Sequence, residues 1–263
     1  MNKRLEDWIN WILIDELKSG IINAPKHLLG NHDYGDGQVI MVYRPHAEKV
    51  CVVSPTGKNR DEMECLSDGV YGFYSAKKKY KGTKYRIETT YQDGTTVVTA
   101  DAYAFDSQIT DFDTYLFAEG KHYDVYEKFG AHPMTIDGVK GTYFAVWAPH
   151  ARRVSVVGDF NMWDGALNPM QMMQTSGIYE LFIPQIPVGS LYKYELKLKD
   201  GLIYLKADPY ANAAEKRPGT ASRIVDITDY KWKDATWIKN REKFDETVQP
   251  MAIYEVHPGS WMK

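Results

Sequence analysis

The residues best suited to chemistry lie in one short segment, residues 158–165, with the sequence Gly-Asp-Phe-Asn-Met-Trp-Asp-Gly. In this segment Trp163 stands beside Asn161 and Asp164. A flat indole can cover the apolar C–H face of a sugar ring, while amide and carboxylate groups hydrogen-bond to the sugar hydroxyls. Stacking that removes about 100 Å² of apolar surface contributes at most about 2.5 kcal/mol, which predicts a Kd of roughly millimolar to 0.1 mM. A second interpretation stays open, in which Trp163 turns inward and closes the fold.

The rest of the sequence contains no recognisable catalytic or metal-binding pattern. It has no nucleophile elbow, P-loop, glycine-rich dinucleotide fingerprint or Cys-x-x-Cys pair, and its histidines lack the H-x-H and H-E-x-x-H spacings of metal ligands. We therefore predict no catalytic residue, no metal and no cofactor in this chain.

The composition excludes several classes of partner. A formal net charge of -3 gives no global field that would concentrate a nucleic acid, so a neutral polymer fits better. No run of about 18 apolar residues could cross a bilayer. Cys51 and Cys65 are too few for a secreted disulfide scaffold, so we expect two reduced thiols in a cytoplasmic protein.

An internal duplication organises the sequence. Residues 44–53 align with 148–157, and residues 82–105 align without a gap with 189–212. Each copy is about a hundred residues long, which is the usual size of one domain. The first copy lacks the residues 158–165 insertion and its tryptophan, so the copies differ where chemistry is expected.

Short β-branched runs and Asp-Gly turns within each copy predict antiparallel strands. We predict an all-β chain of two tandem immunoglobulin-like β-sandwiches, with a short N-terminal helix and a helical connector. Leu5, Trp8, Ile9 and Ile12 follow the spacing of one helix face and should pack on the first sandwich. The connector helix should begin near Thr110 and end at Gly120.

These elements divide the sequence into five parts. Residues 1–106 form the first sandwich with its helix, 107–121 the connector, and 122–228 the second, carbohydrate-binding-type sandwich. Residues 229–249 form a spacer. Residues 250–263 contain a compact apolar run that is typical of a buried parallel strand, for which the chain offers no crossover helices.

Several motifs in order resemble the bacterial glycogen (1,4-α-glucan) branching enzymes. They are His122-Tyr-Asp-Val-Tyr-Glu-Lys-Phe-Gly-Ala-His132, Gly141-Thr-Tyr-Phe-Ala-Val-Trp-Ala-Pro-His-Ala151, the segment 157–165, and Ile253-Tyr-Glu-Val-His-Pro-Gly-Ser-Trp261. The last motif is similar to the first strand of the family's (β/α)₈ barrel. The opening Leu28-Leu-Gly-Asn-His32 is similar to the extra N-terminal module of the long form of the enzyme.

The resemblance implies a parent enzyme of glycogen biosynthesis that transfers α-1,4-glucan segments to form α-1,6 branches. Its Asp nucleophile and Glu acid/base, which work with retention, would lie in the barrel, so this chain alone is expected to be inactive. The expected partners are α-1,4-glucan or glycogen and the catalytic barrel. We expect no nucleic acid and no membrane as partners.

The resemblance also implies a binding site in the second module. In related modules the tryptophan of the Phe-Asn-x-Trp turn stacks on glucose and a hairpin lysine bonds it, which points to Trp163 and Lys193. Thr220 matches a polar position near that site, and Asn161 and Asp164 complete the expected set. Leu202 follows Gly201 where related modules often carry a second tryptophan.

Two other functions remain open. The sandwiches could be purely structural and orient a barrel without touching glucan, or the chain could be a non-catalytic scaffold or regulatory protein. A structural Trp163 should be buried, whereas a ligand platform should leave the indole accessible.

Overall fold

The computed structural model describes residues 2–228, 230–243, 247–248, 250 and 252–261, without the side chain of residue 258. The chain divides into two compact units, Met1–Asp226 and Ile227–Lys263. No helix in the described ranges is both long enough and apolar enough to cross a membrane.

The first module is a sandwich of two antiparallel sheets, in the orders β1-β2-β6-β5 and β4-β3-β7-β8. The buried side chains of its core are mostly β-branched or aromatic, as the sequence predicts. The strands are β1 (Gly30–Tyr34), β2 (Gly37–Tyr43), β3 (Ala47–Val53), β4 (Arg60–Glu62), β5 (Glu64–Ser67), β6 (Val70–Ser75), β7 (Arg86–Tyr91) and β8 (Thr96–Thr99).

The second module repeats this plan. One sheet has the order β12-β13-β10-β9, and the other has the order β11-β14-β15, with β16 also pairing with β14. The strands are β9 (Gly130–Ile136), β10 (Val139–Trp147), β11 (Ala151–Gly158), β12 (Gln171–Met172), β13 (Ile178–Pro184), β14 (Leu191–Leu198), β15 (Ile203–Lys206) and β16 (Ser222–Arg223). The predicted all-β class with two tandem immunoglobulin-like sandwiches is confirmed.

The duplication extends to individual hydrogen bonds. Tyr85 donates its hydroxyl to Asp101 Oδ2 at 2.6 Å, and Tyr192 donates to Asp208 Oδ2 at 2.6 Å. Burial raises the pKa of both aspartates, and each is compensated by these bonds and by a backbone N–H two residues later. The same buried tyrosine–aspartate hydrogen bond therefore occurs at equivalent positions in both sandwiches.

The predicted short N-terminal helix is present as α1 (Lys3–Trp8), but the predicted face does not continue to Ile12, because a second helix, α2 (Trp11–Lys18), begins after Asn10. Asn10 has extended backbone angles, and its side chain accepts a hydrogen bond from Ile12 N at 3.1 Å. Asparagine competes for backbone N–H groups in this way and starts a new helix. The new phase leaves Ile12 71% exposed, although it was expected on the buried face.

The N-terminal segment also contacts the second module, although it was expected on the first alone. Lys197 Nζ donates to Ser19 O at 2.8 Å, and Met172 N donates to Asn23 O at 2.7 Å. One buried apolar cluster runs from Leu5 in α1 to Ile224 beyond β16. The two modules therefore share a core.

The carboxylate of Glu180, on β13, lies at the centre of this junction and is 1% exposed. It accepts hydrogen bonds from three parts of the chain: the N-terminal segment, the connector and the neighbouring strand. The donors are Lys26 Nζ at 3.2 Å, Ser107 Oγ, Gln108 N at 3.0 Å, Ile109 N at 3.2 Å and Tyr143 Oη at 2.7 Å. Glu180 therefore fixes the connector and the N-terminal segment to the second sandwich.

The connector helix is confirmed as α3 (Asp111–Ala118). Thr110 and Asp113 form a capping box at its start, in which each side chain bonds the other residue's backbone N–H. Gly120, with φ of 67°, follows its end, as the glycine stop predicts.

The second unit contains two helices, α4 (Ala235–Arg241) and α5 (Pro258–Trp261). The segment predicted as a barrel strand, 250–263, has no strand among its described residues, and residues 251, 262 and 263 lie outside them. A strand forms only beside a hydrogen-bonded neighbour, and the described residues of this second unit contain no strand. The barrel strand therefore stays a prediction.

We expect Glu180→Ala to lower the free energy of unfolding by about 3–5 kcal/mol, because it leaves Lys26 and the connector N–H groups without their acceptor. Urea unfolding followed by circular dichroism measures this change. The control is Glu119→Ala, which removes an exposed ion pair with Lys121 and should change stability by less than about 0.5 kcal/mol. Equal unfolding midpoints for the two variants would contradict the prediction.

Candidate functional site

The segment 158–165, called the tryptophan turn from here on, leaves the end of β11 and reverses sharply. Residues Asp159–Asn161 form one turn of 3₁₀ helix, and Met162 and Trp163 follow with φ of 56° and 59°. Trp163 N donates to Gly158 O at 2.9 Å and closes the turn. Two successive left-handed residues other than glycine are uncommon, so the surrounding contacts must hold this conformation.

Asn161 provides many of those contacts. It is 5% exposed, and its Oδ1 accepts a hydrogen bond from Gly158 N at 2.9 Å. Its amide donates to Val156 O at 2.8 Å and to Asn168 Oδ1 at 2.7 Å. Because Val156 and Asn168, on either side of the turn, accept both amide hydrogens, Asn161 holds the turn in this structure, and a direct contact with a sugar stays a prediction.

The indole of Trp163 does not enter the core. The side chain is half-buried, and its Nε1–H donates to Asp159 Oδ1 at 2.8 Å. This bond fixes the orientation of the ring while leaving part of it accessible. The interpretation in which Trp163 closes the sandwich is therefore not the one that the structure shows.

Lys193 and Thr220 meet beside this turn. Lys193 lies on β14 opposite Val157, and the next pair in the register joins Tyr192 to Gly158, where the turn begins. Lys193 Nζ donates to the exposed Thr220 Oγ1 at 2.7 Å. The structure thus brings Trp163, Lys193 and Thr220 to one end of the sheet; these three residues are called the platform below.

Asp164 lies apart from the platform. It is exposed, its Oδ1 accepts from Ala166 N at 2.8 Å, and its side chain lines a cleft between the two modules. None of the platform residues lines that cleft. The predicted set of site residues is therefore divided between two surfaces.

Two supporting features were missed by sequence reasoning. Asp159, which orients Trp163, could have been found from its place four residues earlier in the same turn. The buried ion pair of Arg153 and Glu195 lies behind the turn, and Arg153 also donates to Gly165 O. A Cβ at Gly165 would lie 2.0 Å from Glu195 Oε1, so a larger residue would displace the Glu195 carboxylate from its position beside Arg153. No spacing in the sequence indicates this pair, because its members lie on different strands.

The platform carries one indole. Leu202 is 54% exposed at the hairpin position where a second tryptophan was considered, and β15 after it is exposed throughout. Aliphatic side chains there offer apolar contact without the flat face of an indole. No group of three or more His, Cys, Asp or Glu residues in the described ranges could hold a metal ion.

Two family models match the modules separately. Residues 10–103 match the family described as alpha-1,4-glucan branching enzyme GlgB, N-terminal domain. Residues 128–211 match the family described as carbohydrate-binding module 48 (isoamylase N-terminal domain), and this range includes the tryptophan turn and Lys193.

Complete relatives match nearly the whole chain. The 1,4-alpha-glucan branching enzyme GlgB of Thermosynechococcus vestitus is 44% identical over 254 residues, which is 95% of this chain and 33% of that protein. The enzyme of the same name from Nitrosococcus oceani is 41% identical over 252 residues, again 95% of this chain and 33% of that protein.

The solved structures are more distant. A pullulanase from Anoxybacillus sp. LM18-11 has 18% identity and a TM-score of 0.31, over 75% of this chain and 28% of that chain, a similarity too weak to carry an argument. The chain spans about a third of the length of the curated relatives it matches. The chain therefore carries a match to the GlgB-type N-terminal domain followed by a match to carbohydrate-binding module 48, and it is similar to the 1,4-alpha-glucan branching enzymes GlgB over about a third of their length.

Proposed function

We propose that this chain is the glucan-binding and chain-length-setting region of a 1,4-α-glucan branching enzyme, and that the platform binds α-1,4-glucan. The observation that carries the proposal is the accessible Trp163 indole, fixed by Asp159 and adjacent to the Lys193–Thr220 pair. An oriented ring and an oriented donor lose little conformational freedom when a ligand arrives.

The chemistry of the platform suits a neutral sugar chain. The indole covers the C–H face of one glucose ring. The Lys193 ammonium has three N–H donors, of which Thr220 takes one, so two remain for sugar hydroxyls. The weak affinity of a single stacked ring suits a polymer with many equivalent binding segments, since several weak contacts on one molecule reinforce one another.

The parent enzyme would cleave an α-1,4 bond, hold the fragment as a glycosyl-enzyme and pass it to a 6-hydroxyl. The Asp nucleophile and Glu acid/base implied by the resemblance belong to the barrel, so this chain binds and positions glucan but does not react with it. The barrel is the expected partner of these modules.

A second function is supported by a separate observation, the core shared by the two modules around Glu180. A rigid pair of sandwiches can orient a catalytic domain whether or not it binds glucan. This structural role and glucan binding make different predictions for Trp163.

We expect Trp163→Ala to raise the Kd for maltoheptaose by about tenfold or more, since the loss of one stacked ring exceeds 1.4 kcal/mol. Stability should fall by less than about 1 kcal/mol, compared with about 3–5 kcal/mol for a core tryptophan. A titration with maltoheptaose and soluble glycogen, followed by tryptophan fluorescence, measures the affinity.

The matched control for this variant is Trp11→Ala, which removes a 44% exposed tryptophan on α2 and should leave affinity unchanged. If the fluorescence of the wild-type protein shows no saturable change up to about 10 mM maltoheptaose, well above the expected Kd, glucan binding is contradicted and only the structural role remains.

Lys193→Ala should weaken binding by about three- to tenfold. Hydrogen bonds to a charged group contribute about 1.5–3 kcal/mol, and this gain is reduced here because the Lys193 ammonium already donates one hydrogen bond to Thr220. Thr220→Val should weaken it less, since it only frees the ammonium. Lys199→Ala, on the exposed hairpin end of β14, is the control. Unchanged affinity in Lys193→Ala would remove this residue from the platform.

Asn161→Ala tests the assignment of a positioning role. It leaves Gly158 N–H and Val156 C=O without their partner, so unfolding should become easier by about 1–3 kcal/mol. Loss of the turn should also shift the nuclear magnetic resonance signal of the Trp163 indole N–H without any ligand present. A variant with wild-type stability and an unshifted indole signal, but weaker binding, would instead make Asn161 a direct ligand contact.

A further inference from the structure

A cleft of about 550 Å³ lies between the two modules, where the turn from β2 to β3 faces the tryptophan turn. Ligand sites in proteins usually have volumes of about 300–1,000 Å³ and combine apolar walls with a few polar groups. The platform does not reach this cleft, so it is a separate space.

The first module contributes aromatic rings and a guanidinium. Tyr43 and Tyr91 line the cleft, and the half-buried Tyr43 hydroxyl has no hydrogen-bond partner in the described part of the chain. Arg44 also lines the cleft, and within the described ranges its guanidinium donates to Tyr43 O at 2.8 Å and, weakly, to Thr99 Oγ1 at 3.5 Å. An arginine has five N–H donors, so Arg44 retains donors for a ligand.

The second module contributes a carboxylate and apolar walls. Asp164 and Met162 extend from the tryptophan turn toward this space, and Phe160 lies beneath them. Asp164 and Tyr43 line the same cleft, and burial, followed by the charge of Asp164, raises the pKa of Tyr43. One oxygen of Asp164 is held by Ala166 N, while the other has no bonding partner in the described ranges.

The backbone around the cleft is strained on both sides. His46, Met162 and Gln185, all lining residues, have φ of 62°, 56° and 64°. Left-handed residues other than glycine cluster at ligand sites, where the surroundings hold a conformation that the chain alone avoids.

The geometry points to a second α-glucan-binding site in this cleft, built by Tyr43, Arg44 and Tyr91 of the first module and Asp164 of the second. The inference rests on the proposed function and extends it to the first module. Arg44 is balanced by two lining carboxylates, Asp164 and the buried Asp101, so the cleft has no excess positive charge and favours an uncharged ligand over an anion. Guanidinium and carboxylate groups can each bond neighbouring sugar hydroxyls, while the tyrosine rings cover C–H faces.

Nuclear magnetic resonance of the whole ¹⁵N-labelled chain can observe the two sites separately. The Trp163 indole N–H reports on the platform, and the Gln185 amide reports on the cleft. With maltoheptaose up to about 10 mM, we expect both signals to shift in wild-type protein with saturation. In Trp163→Ala the Gln185 amide should still shift with its wild-type midpoint.

Two variants then test the cleft itself. Tyr91→Ala removes a ring and Asp164→Asn removes the charge while keeping the oxygen that Ala166 N bonds. Each should raise the midpoint at Gln185 by about threefold or more and leave the midpoint at the Trp163 indole unchanged. Tyr123→Ala, which removes an 84% exposed ring outside the cleft, is the matched control and should change neither signal.

The outcomes separate this inference from the proposed function. A shift at Trp163 without one at Gln185 overturns the cleft site and leaves the platform standing. A shift at Gln185 that persists unchanged in both cleft variants also overturns the site. Absence of both shifts overturns the inference together with the proposed function, whereas a shift at Gln185 alone supports the cleft and overturns the platform.

Discussion

The placement of the cleft between the modules depends on one buried carboxylate. Glu180 is enclosed by donors from the N-terminal segment, the connector and β10, so its charge is compensated only when all three are in position. That condition joins the first sandwich to the second as one body. The β2–β3 turn and the tryptophan turn face each other as a consequence, and the cleft exists only in this arrangement.

The sequence predicts well what is local. Alternating strands, Asp-Gly hairpins, the Thr110 cap and the Gly120 stop are determined within a few residues, and all are present in the structure. The N-terminal helix was predicted but its break at Asn10 was not, because Asn10 offers the backbone a competing hydrogen bond that periodicity does not register. The Glu180 junction could not be predicted, because its donors are separated from it by long stretches of chain.

The candidate site shows the same contrast between features that the sequence predicts and features that only the folded structure reveals. Resemblance supplied Trp163, Lys193 and Thr220, and the strand register explains why they meet. It could not assign Asn161 and Asp164, because two left-handed residues reverse the tryptophan turn and send neighbouring side chains in different directions. Residues adjacent in sequence therefore serve three purposes: Asn161 holds the turn, Trp163 joins the platform and Asp164 lines the cleft.

Duplication explains how such a turn could be accommodated. Each module keeps the same tyrosine–aspartate hydrogen bond, so the sandwich does not depend on the loop that follows β3 or β11. In the first copy that loop continues into the edge strand β4, while in the second it forms the tryptophan turn, supported by Arg153, Glu195 and Gly165. A loop on a fixed frame can change with little cost to the fold. The tryptophan turn supplies one wall of the cleft and the β2–β3 turn of the first module supplies the other, so the two copies together form a surface that neither contains alone.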